Sequence, residues 1–166
     1  MSSSPDKNSP HPIKLKLDKR FQPCRLDEGD EAYPNGIFHF NITRLLAFID
    51  AHPADYPLEP ISVADIPDYG SSRLDESAVR SADLSRPVLL AEIAPGRYNL
   101  IDGHHRVAKA RRDGVPTIHA RRVVCPRHVP FLTTTEAYEK YVEYWNSKVK
   151  EMRVVRGHSS TVGATS

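Results

Sequence analysis

The sequence predicts an α/β (α+β) fold, on three observations. Residues 98–112 read as a strand that turns tightly into a helix: Tyr98, Leu100 and Ile101 are strand formers, Asp102 and Gly103 turn residues, and Ala108 to Arg112 favour helix. Residues 87–93 form an apolar run joined to that strand by Ala94-Pro95-Gly96-Arg97, the pattern of a hairpin. Two other segments, 42–49 and 138–149, repeat apolar residues at helical spacing.

The chain has 166 residues, of which 39% are apolar, enough for one compact domain with tails. No apolar run approaches a membrane-spanning length, and residues 1–12 lack the apolar centre of a secretory signal, so the expected place is the cytoplasm. Cys24 and Cys125 lie far apart without metal-ligand spacing and are expected to be reduced thiols.

Taken in order, residues 1–12 are Ser- and Pro-rich with nothing to bury and are expected to be disordered. Ile13, Leu15 and Leu17 alternate with polar residues, which predicts a half-buried strand, and residues 21–34 read as loop. Ile37, Phe38 and Phe40 suggest a short extended piece after a turn at Pro34-Asn35-Gly36. Asn41 reads as the N-cap of a helix carrying Ile42, Leu45, Leu46 and Ile49, which ends at Ala51-His52-Pro53. A strand is expected over 61–66, turned by Pro67-Asp68-Tyr69-Gly70, and a short helix over 75–81. Ser71, Ser72 and Arg73 are candidates to line a ligand site from the side opposite the histidines. After the central hairpin and helix, Gly114 and Pro116 end the helix, and residues 118–124 predict another strand. Pro126, His128 and Pro130 mark a linker. Thr133 and Glu136 fit a capping box, and Tyr138, Tyr141, Val142, Trp145 and Val149 form one stripe on the last helix. That stripe either packs on the domain or offers a homodimer contact. From residue 155 the tail is expected to be disordered.

The chemistry concentrates at the turn. A helix N-terminus carries N–H groups without helical partners and the positive end of the helix dipole. Gly103, His104, His105 and Arg106 therefore form a candidate cradle for phosphate or carboxylate, with Arg106 making charge-assisted bonds. The competing reading is that Asp102 caps the helix and Gly103 merely turns the chain. For phosphotransfer, Asp102 and Glu92 are the candidate catalytic carboxylates. The net charge is only +2, but Arg106, Lys109, Arg111, Arg112, Arg121 and Arg122 cluster in sequence, opposed only by Asp113, which makes DNA a candidate partner through its phosphates. No carboxylate cluster for two metals is visible, and adjacent His104 and His105 do not both face one ion on a helix, so no metal site is expected.

Leu100-Ile101-Asp102-Gly103-His104-His105-Arg106-Val107-Ala108 resembles the signature of the ParB/sulfiredoxin superfamily, and the strands on either side follow that family's order over residues 58–125. The resemblance implies a small mixed sheet, with the helix after the Asp-Gly-His-His-Arg turn holding nucleotide phosphate at its start. Residues 13–57 would then be an N-terminal extension with one helix, 58–125 the core, and 126–154 a C-terminal helix. Members bind CTP, use ATP, or phosphorylate free serine, so ATP or CTP, with Mg²⁺, is the implied cofactor. The Asp-Gly-His-His-Arg version is more similar to the small kinases than to partition proteins. His104 stands where sulfiredoxins carry their reactive cysteine, so that activity is not expected. No counterpart of the helix-turn-helix module that follows the nucleotide domain in partition proteins is expected here. The runner-up function is a non-catalytic accessory protein that binds DNA or a protein partner.

Overall fold

The computed structural model describes residues 12–35, 38–67 and 74–159. It contains a four-stranded mixed sheet, a separate hairpin and four α-helices. The hairpin is β1 (Ala32–Asn35) paired antiparallel with β2 (Phe38–Asn41). Helix α1 (Ile42–Ala51) follows directly, then β3 (Glu59–Ser62), a 3₁₀ turn (Val63–Asp65), and helix α2 (Glu76–Ser81). Strands β4 (Val88–Ala94) and β5 (Arg97–Asp102) form the expected antiparallel hairpin, and β5 runs into helix α3 (His104–Arg112). Strand β6 (Thr117–Val123), a 3₁₀ turn (Val129–Phe131) and the long helix α4 (Thr135–Ser159) complete the chain.

The sheet order is β3-β6-β4-β5. Only β4 and β6 run parallel, with α3 in the connection between the β4–β5 hairpin and β6. Side chains alternate across a strand, so β4 supplies both cores. Leu89, Ala91 and Ile93 face a core built with α1, α4 and the β1–β2 hairpin. Val88 and Leu90 face a smaller core with Val107 and Ala110 of α3 and Val63 of the 3₁₀ turn. Residues 13–57 thus share a core with the sheet. The aromatic stripe of α4 is buried inside the same chain, with Tyr141 fully enclosed and Trp145 6% exposed, as the packing alternative requires.

Several expectations need correction. Residues 13–17 form no strand. Their backbone is held by side chains of α4: Asn146 Nδ2 donates to the Leu15 carbonyl, Leu15 N–H to Asn146 Oδ1, and Trp145 Nε1 to the Ile13 carbonyl. The alternation is real, but the partner is a helix edge, so no ladder forms. Residues 32–34, expected as loop, belong to β1. The strand expected over 61–66 starts earlier, at Glu59, and gives way to the 3₁₀ turn at Val63. The cap of α4 is Thr134, whose Oγ1 accepts from Ala137 N–H at 2.9 Å, while the Thr133 hydroxyl donates to His39 carbonyl at 3.3 Å. Helix α4 continues to Ser159, past the boundary expected at residue 154. Pro34 and Asn35, expected in a turn, are the last residues of β1. The expected disorder of residues 1–11 and 160–166, Gly36 and Ile37 of the expected turn and extended piece, the turn at 68–70 and the ligand-lining role of Ser71 to Arg73 fall outside the described residues. No helix among the described residues is long and apolar enough to cross a membrane.

Candidate functional site

The junction of β5 and α3 is built around Gly103. Its φ is +103°, a left-handed conformation that favours glycine. A Cβ there would sit 2.5 Å from Val88 Cγ1 and 3.3 Å from Val88 Cα. Gly103 is therefore demanded by the packing of the turn against β4, whatever binds outside. Asp102 does not cap α3, contrary to the capping alternative. Gly103 occupies the N-cap position and offers no side-chain hydrogen bond. The first intrahelical bond runs from Val107 N–H to the Gly103 carbonyl at 3.0 Å. The N–H groups of His104, His105 and Arg106 consequently have no partner within the helix.

These residues wall a cleft of about 740 Å³. The lining comprises Asp102 to Arg106, Ser81 to Asp83 and Arg86, with Glu31 and Tyr33 from the N-terminal region. The Tyr33 ring stacks on His104 with centroids 5.0 Å apart. Burial holds the His104 imidazole below its usual pKa, against the pull of the Leu100 carbonyl and Asp102, so it is neutral at pH 7. Asp83 accepts from both the hydroxyl and the N–H of Ser85, at 2.6 and 3.0 Å, which lowers its pKa and keeps it ionised. His105 is half-buried at the cleft wall.

Arg106 is engaged by the protein itself. Its Nη2 binds Asp102 Oδ2 at 3.1 Å, and its Nη1 donates to the carbonyls of Pro87 and Arg86. Its side chain is 12% exposed. The guanidinium thus ties α3 to the entry of β4, and its terminal nitrogens are committed to protein acceptors. Arg86, which sequence reasoning missed, is the exposed cation at the cleft and makes no salt bridge among the described residues. Its distance from the motif in sequence hid it. The only available signal was its place directly before the Pro87 strand.

Glu92 does not join this site. It pairs with Tyr98, three residues along β4 from the Leu89–Asp102 pair, hence about 10 Å away. Its carboxylate instead accepts from Gly96 N–H at 2.9 Å and Cys125 N–H at 3.0 Å, fastening the hairpin turn to the end of β6. The carboxylates brought to the cleft are Asp102, Asp83 and Glu31.

The basic residues do not form one free face either. Lys109 Nζ donates to the Ala82 carbonyl at 3.0 Å, and Arg111 to the Ile66 carbonyl. Arg112 makes a two-pronged pair with Glu76 at 2.7 and 2.8 Å. Arg121 pairs with Asp50 at 2.9 Å, on the opposite side of the sheet from Arg122, which pairs with Glu59 and lies 4.7 Å over the Tyr98 ring. A linear sequence shows which charges are close along the chain, but these partners come from up to 71 residues away. No group of three or more metal-ligating side chains exists among the described residues.

Comparison with protein-family models, with curated proteins and with solved structures found no match to this chain. Fold and site define a mixed α/β domain whose helix α3 begins without a side-chain cap at a polar cleft.

Proposed function

We propose that this chain is a nucleotide-binding domain of the ParB/sulfiredoxin type, taking the phosphates of ATP or CTP in the cleft at the start of α3. The observation that carries this reading is that the first turn of α3, which has no side-chain cap, lies at a cleft that also holds the exposed Arg86. Oriented N–H groups and a guanidinium are complementary to phosphate oxygens. The motif resemblance supports the same ligand. The carboxylates of Asp102, Asp83 and Glu31 oppose a bare polyanion, which favours a nucleotide carrying Mg²⁺. If the domain is a phosphotransferase, Asp102 or Asp83 orients the acceptor hydroxyl, and Glu92 takes no part.

The alternative, an accessory protein on DNA, is weakened by the pairing of Arg112, Arg121 and Arg122 with carboxylates. A homodimer would have to form away from the aromatic stripe of α4, which the chain's own core already uses.

Calorimetric titration with ATP and CTP, with and without Mg²⁺, tests the reading. Binding is expected in the wild type, and Arg86→Ala is expected to weaken it about tenfold, the loss of one charge-assisted contact. Absence of binding by every nucleotide would reject the proposal.

A further inference from the structure

His128 is fully buried, and its ring nitrogens lie near the Glu92 and Val124 carbonyls without reaching hydrogen-bond geometry. It is clamped between Phe40 of β2, stacked at 5.6 Å, and Tyr141 of α4, edge-on at 5.3 Å. Phe40 in turn is the direct cross-strand partner of Tyr33 in β1, and Tyr33 stacks on His104 at the cleft. One hairpin therefore connects a buried histidine to the cleft wall. We propose that His128 is an acid-sensitive pin: its protonation releases the β1–β2 hairpin from the core and withdraws Tyr33 from the cleft, while the sheet face under α3 stays folded.

The physical basis is desolvation. An imidazolium between two aromatic rings has lost its water, and no carboxylate faces it. From α4 the facing group is Tyr141, whose hydroxyl donates to the Glu92 carbonyl at 2.8 Å and whose pKa burial raises. Tyr141 in turn meets Cys125, just past the end of β6, whose thiol burial pushes up to about 11. From β4 the facing group is Glu92, whose carboxylate is turned to the N–H groups of Gly96 and Cys125. The carbonyls of Glu92 and Val124 offset only part of the cost, and burial pushes His128 down to about 4. At the other end of the hairpin, His104 faces Tyr33 from β1, Asp102 from β5 and its neighbour His105, and is also held neutral. The small core under α3 contains no histidine.

The sign follows from linkage. An opened hairpin exposes His128 with an ordinary pKa near 6.5, so the open form binds more protons, and opening becomes easier as pH falls from about 6.5 toward about 4. Between pH 7.5 and pH 5 the opening equilibrium is expected to rise about thirtyfold. Hydrogen exchange of the full chain, corrected for intrinsic rates, reads this at the amides of residues 38–41, with those of β4 and β6 as reference. The expected result is that increase at the hairpin, no comparable increase at β4 and β6, and its disappearance in His128→Phe. Equal changes at hairpin and sheet would mean global acid unfolding and overturn the proposal. So would a pH-independent hairpin in the wild type, which remains readable even if His128→Phe does not fold. The readout needs no nucleotide, so its outcome is separate from that of the binding reading.

Discussion

Helices α1 and α3 both start directly after a strand, and their first turns are finished in opposite ways. At α1, Asn41 is wholly buried, its Oδ1 accepts from Arg44 N–H at 3.1 Å, and its Nδ2 donates to Asp30 and the Arg25 carbonyl. At α3, Gly103 supplies no side chain at all. Asp75 and Thr134 cap α2 and α4 as Asn41 caps α1. A side-chain cap both stabilises a helix end and occupies the donors a ligand would need. Helix α3 has no side-chain cap because its turn is squeezed against Val88, and its first turn lines a cleft.

The largest test of this contrast is Gly103→Ala. The positive φ together with the overlap on Val88 is expected to cost about 3 kcal/mol of stability, measured by urea unfolding. A neutral result would mean that Gly103 serves only ligand approach. Next, Arg106→Ala is expected to cost about 2 kcal/mol, because it strands Asp102 and two carbonyls. That places Arg106 with structure before binding, and loss of nucleotide affinity at unchanged stability would reverse the assignment. Asn41→Ala removes a buried cap and is expected to cost about 1.5 kcal/mol without changing nucleotide affinity. Smallest in stability, Arg86→Ala is expected to stay within about 0.5 kcal/mol of the wild type, as an exposed side chain should, so its effect on binding reads the cleft alone.

Much of the architecture was legible. The Asn41 cap, the α1 stripe, the 87–101 hairpin, the tight turn into α3 and the stop at Gly114 are local patterns, set by periodicity and by residues with narrow backbone preferences. The site was legible in part: the motif located the open helix end but assigned Arg106 to phosphate and Glu92 to catalysis. The contacts these two side chains make in the fold were hidden for the same reason. Neither the carbonyls of Arg86 and Pro87 nor the N–H of Cys125 is near its partner in sequence.

The sequence by itself determined α1, the β4–β5 hairpin, α3 and β6, because each is specified within a dozen residues by pattern, cap and breaker. Only the tertiary structure decided which charges are free. Arg121 meets Asp50, Arg112 meets Glu76, and Arg86 is left exposed at the cleft. A charge is available for binding only when folding brings no counter-charge to it, and that depends on segments far apart along the chain.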